Sequence, residues 1–290
     1  MAVLVLFYDG VGIGEDDPAR NPFAAEKVRR LAPVWTGTAE DGVSFRTLDA
    51  TLGVPGLPQS ATGQTTLFTG VNAAEAAGRH MQGLPGPTLR AILEKESLFL
   101  KLVQGGRRPT FANWYTRRHL EAKRPRWSVT TRLVLSASIP FRVLDENGPL
   151  EHVLFHDYTG EWIRNRGYPV PLRTADGAAE ILAGYVEEHD LVLYEYFLTD
   201  VVGHRGTTDE RRTHARRVED LTEAVLARFD LSRHTVLVVS DHGNLEESDH
   251  KQHTTNPVPL LGWGRSAEEI VGRVETMMDL TPALVDTPVA

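Results

Sequence analysis

Three runs of β-branched and large apolar residues, each ending on an aspartate, constrain this chain more than any other feature of it. They are "VLVLFY" at 3–8, ending at Asp9-Gly10, "LVLYEYFL" at 191–198, ending at Thr199-Asp200, and "TVLVVS" at 235–240, ending at Asp241. Unbroken apolar runs of this length fit strands covered on both faces. Helical periodicity lies between them, in "ADGAAEILAGYVEE" at 175–188 and "DERRTHARRVEDLTEAVLARF" at 209–229. Strands alternating with helices predict an α/β fold, a mostly parallel central sheet with helices on both faces. Ligands of such sheets bind beyond the carboxyl ends of the strands, so the three aspartates are expected to converge on one site.

The middle of the chain reads differently. "SLFLKLVQ" at 97–104 predicts a helix and "PTFANWY" at 109–115 a strand, but from Thr116 to Arg173 the pattern is irregular, with charge clusters and scattered aromatics. The expected division is a core of residues 1–115 and 174–290 with a small cap or insertion at 116–173. With 290 residues, 41% of them hydrophobic, the chain can bury one sizeable core. A net charge of −8 argues against nucleic acid as a partner. The absence of cysteine excludes disulfides, thiolate metal sites and a cysteine nucleophile. "AVLVLFY" at 2–8 is too short to span a bilayer and lacks the flanks of a signal peptide, so no membrane association and a cytoplasmic location are expected.

The strand ends carry the chemistry. "DVVGH" sets Asp200 four residues before His204, "DHGN" places Asp241 and His242 side by side on a turn, and "HTTNPVP" adds His253. Read singly, each has a plain alternative: a capping aspartate, a polar turn, a loop histidine. His250 is the weaker candidate beside His253, and Asp9 in "YDGVGIG" alone reads as a turn residue. Together they supply enough carboxylates and imidazoles for two divalent ions, and such donors suit zinc or manganese. Two ions of this kind serve in-line displacement at phosphorus, which also needs a nucleophile. In "PQSATGQTTLFTGV" at 58–71, Ser60 is the candidate and Thr62 its rival. A serine before a helix-compatible stretch is commonly an N-cap, but the same position faces the positive helix end where phosphate binds.

The ordered set "YDGVGIG", "PQSATGQ", "TDVVGH", "SDHGN" and "HTTNPVP" resembles the metalloenzyme core of the alkaline phosphatase superfamily. It is most similar to that of cofactor-independent phosphoglycerate mutases and phosphopentomutases. The resemblance covers about residues 1–80 and 190–265. It implies an alkaline phosphatase-like fold and selects Ser60 as the nucleophile over Thr62. It also assigns Asp9, Ser60, Asp241 and His242 to one metal, and Asp200, His204 and His253 to the other. Two departures stand out. Gln64 occupies a position where the mutases usually carry histidine. Ser60 and Asp200 are only 140 positions apart, leaving no room for the large domain with which the mutases retain their substrate.

Basic residues crowd the cap region, with Arg107, Arg108, Arg117, Arg118, Lys123, Arg124 and Arg126 opposed by Glu121. Most of these read as a solvated face. Arg117 and Arg118, with Gln64, are the candidate substrate contacts, since arginine can clamp a phosphate or carboxylate bidentately. Trp114, Tyr115 and Trp127 read first as core residues and second as a pocket wall, and His80 and His156 receive no role. The expected activity is a two-metal phosphoester hydrolase acting on a small phosphorylated substrate through a phosphoserine. The alternatives are a phosphomutase and a catalytically weak metal-binding regulator.

Overall fold

Alternation along the buried strands builds the core. The computed structural model describes residues 1–40, 42–123, 126–144 and 150–288; Arg124, noted above, lies outside the described residues. In chain order the strands are β1 (Val3–Tyr8), β2 (Ser44–Leu48), β3 (Pro109–Phe111), β4 (Tyr115–Thr116), β5 (Val143–Leu144), β6 (Leu191–Tyr196), β7 (Thr235–Val239) and β8 (Val258–Gly264). Successive side chains of a strand point to opposite faces. Leu4, Leu6 and Tyr8 therefore pack with Val192, Tyr194, Val236 and Val238 on one side of the sheet. Val3, Val5 and Phe7 pack with Leu191, Leu193, Leu237 and Val239 on the other. A residue that must be apolar on both faces explains why these runs show no alternation in the sequence.

The main sheet has six strands in the order β2-β8-β7-β1-β6-β3. β1 pairs in parallel with both β6 and β7, and β3 runs parallel to β6. The fold is α/β with a mostly parallel sheet, as expected, except that β8 and β2 join antiparallel at one edge. Helices Ala175–Glu188 and Thr208–Arg228 cover the first face. Helices Ser60–Leu67, Leu98–Gln104, Val129–Ser136 and Leu280–Asp286 contribute to the second.

Two local expectations are corrected. The run 191–198 is strand only to Tyr196, and Leu198–Arg205 is a helix that carries Asp200 in its first turn and His204 in its last. Short apolar runs do not distinguish strand from helix by periodicity, and Asp200 favours the positive end of the helix dipole. The run 109–115 is likewise split. Pro109–Phe111 joins the main sheet, while Tyr115–Thr116 leaves it to pair in parallel with Val143–Leu144. Beside this two-stranded ribbon, Leu144, Val153, Ile163 and Val170 form a small cluster of their own. From the same stretch, helix Val129–Ser136 packs Leu133 and Val134 into the main core. Among the described residues, no helix is long and apolar enough to cross a membrane.

Candidate metal centre

Asp9 directly follows β1, Asp241 lies two residues beyond its parallel neighbour β7, and Asp200 is in the first turn of the helix that follows β6. The parallel register thus delivers all three carboxylates to the same end of the sheet. Ser60 comes from the opposite face, at the first position of its helix. Gln59 is the N-cap residue there and makes no side-chain cap bond, so the N-cap reading of Ser60 does not hold. Its hydroxyl instead lies 3.0 Å from His242 Nε2. Thr62, buried in the same helix, donates to Gln59 O at 3.0 Å and accepts from Met81 N at 3.3 Å. That helix is buried nearly all round, and its threonines are satisfied by bonding back one turn, as Thr65 does to Ala61 O at 2.6 Å.

Two groups of ligand atoms result, each with its atoms within 4.8 Å of one another: Asp200, His204 and His253, and Asp9, Asp200 and His242. Asp200 belongs to both. His242 Nε2 lies 3.3 Å from Asp9 Oδ1 and 3.5 Å from Asp241 Oδ2. The His242 ring stacks on that of His253, with centroids 3.8 Å apart.

The donor set fits a bound cation on two observations. His204 Nδ1 lies 2.7 Å from Lys251 O, and His253 Nδ1 lies 2.7 Å from Pro58 O. A carbonyl only accepts, so both rings carry their proton on Nδ1 and turn the Nε2 lone pair inward. Those two Nε2 atoms are 2.9 Å apart, so both lone pairs can face one cation, and without it a single added proton can join the rings. The second observation is that Asp9 Oδ1 and Asp241 Oδ2 are buried with no hydrogen-bond donor. Buried anionic oxygens left in this state are costly unless a positive charge compensates them.

The charges respond accordingly. Burial, then the nearby carboxylates Asp241 and Asp200, push Asp9 well above the usual carboxylate range. Burial also pushes Asp200 upward, but the hydrogen bonds that His204 and His253 donate from Nε2 once their rings are doubly protonated outweigh it and hold Asp200 below that range. The hydrogen bond to Asp200 raises His204 in turn.

Further residues hold the ligands in place, and of these Glu246 was not singled out in the sequence. Glu246 is fully buried and accepts from Gly12 N at 2.9 Å, Asn244 N at 2.8 Å, Thr254 Oγ1 at 2.5 Å and Asn256 Nδ2 at 3.1 Å. One carboxylate thereby ties together the loops that carry Asp9, His242 and His253. Gly243 is required for this, since a Cβ there would collide with both Glu246 Oε1 and Thr254 Oγ1. Asn244 Nδ2 donates to Asp200 Oδ1 at 2.7 Å, and Gln64 Nε2 donates to Asp9 Oδ2 at 3.1 Å. Glu195, near the end of β6, lines the same cavity as Asp9 and Asp200 and was likewise not singled out in the sequence. Burial pushes it up to about 8, and Thr130 Oγ1 donates to it at 3.0 Å. Its neighbour His156 is pushed by burial down to about 3, and the two lie 3.4 Å apart. The sequence signal for Glu246 and Glu195 is faint: an acid on a polar loop reads as solvated, and an acid inside an apolar run is a single exception to a pattern.

The centre opens into a cavity of about 750 Å³ bounded by Asp9, Ser60, Asp200 and Glu195 on one side and by aromatic side chains on the other. Gln64 and Arg118 line it; Arg117 pairs with Glu121 at 3.5 Å on the surface. His250 pairs with Glu247 at 3.0 Å, and His80 Nε2 lies 3.1 Å from Val54 O. Tyr115 also lines the cavity, while Trp127 packs against His119 and Phe141.

Comparison with known proteins agrees with this geometry. Residues 168–287 match the family described as the metalloenzyme superfamily. Over that stretch the chain is a metalloenzyme-superfamily sequence. The chain is 31% identical over 126 residues to the 2,3-bisphosphoglycerate-independent phosphoglycerate mutase of Desulforudis audaxviator, covering 40% of the chain and 24% of the mutase. To the corresponding mutase of Agrobacterium fabrum it is 34% identical over 98 residues, covering 30% and 19%. The matches thus span about a quarter or less of those mutases. Among solved structures, the PH0037 protein from Pyrococcus horikoshii superposes with a TM-score of 0.56 at 12% identity, covering 98% of this chain and 96% of that one. A His 135 Asp mutant of the TAB5 alkaline phosphatase, solved with magnesium bound, gives 0.51 at 12% identity and the same coverage. At such identities the likeness is one of fold.

Proposed function

We propose that this metalloenzyme hydrolyses a small phosphoester through a phosphoserine formed on Ser60, with two divalent ions, manganese or zinc, as cofactors. The observation that carries the reading is the position of Ser60 Oγ, 3.0 Å from His242 Nε2 and on the wall of the cavity that also exposes Asp9 and Asp200. Asp200, His204 and His253 would hold one ion, and Asp9, Ser60, Asp241 and His242 the other. Such ions, when bound, supply the positive charge that a serine alkoxide and a phosphoryl transition state require.

The chain's own residues do the rest. Ser60 presents its hydroxyl at the positive end of a helix, where the phosphoryl oxygens are favoured. Gln64 orients Asp9 through its amide, and Glu246 fixes the three ligand loops so that little reorganisation is needed on substrate binding. Arg118 lines the cavity and would pair with a further anionic group of the substrate. Hydrolysis is preferred to mutase chemistry because a mutase must retain its substrate while the phosphoryl group returns, and residues 116–173 are a short stretch for that task. The mutase reading keeps the similarity to phosphoglycerate mutases in its favour.

The test is Ser60→Ala. A serine that only supported the helix could be replaced with an intact site, whereas loss of a nucleophile removes the covalent step. The variant is expected to fold, to retain the metal at Asp200, His204 and His253, and to lose at least a thousandfold in turnover of 4-nitrophenyl phosphate with manganese. Thr62→Ala is expected to stay active. Mass spectrometry of quenched enzyme should find phosphate on the peptide containing "PQSATGQ". Wild-type turnover by Ser60→Ala would overturn the assignment, and no turnover by the metal-loaded native chain would favour a binding protein.

A further inference from the structure

A second cavity meets the first at the nucleophile. It has a volume of about 650 Å³ and shares Ser60, Gly83, Leu84, Arg126 and Asp200 with the first. Both volumes fall in the range of small-molecule sites. Their remaining walls differ in chemistry. The first is aromatic, with Trp114, Phe155, Trp162 and Phe197 among its lining. Phe155 stacks on Trp162 at 5.4 Å, and the Arg166 guanidinium lies 3.4 Å from the centre of the Trp162 ring, which stiffens this wall. The second lacks aromatic side chains and is mixed, with Leu57 beside the polar Gln59, Gln82, Lys251 and Gln252 and the imidazoles of His204 and His253. Leu84, 37% exposed, stands where the two lobes join.

From this we infer that the substrate is a phosphodiester with one flat, apolar substituent and one polar substituent, seated in the aromatic and polar lobes respectively. The inference rests on the hydrolase reading above and specifies its substrate class. A phosphomonoester has one organic substituent and fills one lobe; the other would stay wet and contribute no binding energy. A diester places carbon-bearing groups on two sides of the phosphorus and uses both. In the aromatic lobe, stacking and apolar burial act on a flat ring. In the other, amide and ammonium groups offer hydrogen bonds to hydroxyl or carbonyl groups. In the reaction, the Ser60 Oγ–P bond forms as one ester P–O bond breaks, and that alcohol leaves with the serine proton. Water then attacks phosphorus, returning one proton to Ser60 Oγ and releasing the phosphomonoester of the other alcohol.

Three substrates with the same 4-nitrophenolate leaving group isolate the effect of the second substituent: 4-nitrophenyl phosphate, bis(4-nitrophenyl) phosphate and thymidine 5′-(4-nitrophenyl phosphate). With the manganese-loaded full chain, kcat/KM is expected to be at least tenfold higher for thymidine 5′-(4-nitrophenyl phosphate) than for the monoester, and bis(4-nitrophenyl) phosphate, which lacks a polar substituent, is expected to fall between them. A smaller ratio overturns the diester inference and leaves the hydrolase reading standing. No turnover of any of the three, with manganese or zinc bound, overturns the hydrolase reading and this inference with it. A measurement free of turnover accompanies these. On Ser60→Ala, quenching of tryptophan fluorescence should give a dissociation constant at least tenfold lower for thymidine 5′-(4-nitrophenyl phosphate) than for 4-nitrophenyl phosphate. Equal dissociation constants would overturn the inference.

Discussion

At the scale of single residues, the most demanding side chains are acids that are not themselves candidate ligands. Glu246 accepts four hydrogen bonds while fully buried, so its removal leaves donors on three loops unsatisfied. Each such loss costs about 1–3 kcal/mol. Glu246→Ala is therefore expected to lower stability by roughly 3 kcal/mol or more and metal affinity by about 10- to 100-fold. Denaturant melts and a metal titration check it; wild-type values in both would show that the loops hold themselves. Glu195 makes a pH prediction. Burial raises it from an ordinary value of 4.5 to about 8, so the folded chain holds this proton more tightly than the unfolded one. The stability this contributes is complete below about pH 4.5 and is lost as pH rises through about 8, an effect on the order of a few kcal/mol. With chelator present, the melting temperature of the native chain should fall over that window, and that of Glu195→Gln should fall less. Parallel pH profiles would contradict it.

At the scale of elements, the centre depends on how closely the Ser60–Leu67 helix approaches the end of β7. Gly63 sits at that crossing, and a Cβ there would stand 2.5 Å from the backbone oxygen of Asp241. Alanine is favoured over glycine inside a helix by roughly 1 kcal/mol, so propensity alone predicts that Gly63→Ala stabilises the chain. The contact is with backbone and cannot yield by a side-chain rotation. Overpacking of this kind costs about 1–3 kcal/mol, and the net expectation is destabilisation. Metal binding should weaken as well, because the displaced elements carry Ser60 and Asp241. A more stable variant with unchanged metal affinity would show that the helix can move away freely. The Leu198–Arg205 helix makes a related point about legibility. Asp200 and His204, spaced by four, could be read from the sequence as a pair, but their place on one helical face became clear only from the chain turning helical at Leu198.

At the scale of the whole molecule, the candidate ligands come from five separate stretches of chain and meet only in the folded state. Ions that bind the folded form alone stabilise it by mass action, by about 4 kcal/mol for one site at a thousand times its dissociation constant. Added manganese or zinc should raise the melting temperature and chelation should lower it, and a melting temperature indifferent to both would argue against a folded-state metal centre. How much of this could be read beforehand follows from range. Local pattern was enough for the α/β class: apolar runs with no alternation must be covered on both faces, and aspartates at their ends gather wherever parallel strands end together. The same pattern, set in the motif order of a known superfamily, also named Asp9, Ser60, Asp200, His204, Asp241, His242 and His253 as the residues to examine. The antiparallel edge of β8 and β2 depends on pairing partners rather than on local sequence. So do the work of Glu246 and the pressure on Glu195, whose consequences come from desolvation and from donors distant in the chain. The two lobes that meet at Ser60 exist only as space between elements. The sequence by itself determined which side chains could bind metal and attack phosphorus, because identity and order are local; tertiary structure alone decided what buries, orients and surrounds them, because burial and approach are properties of the assembled chain.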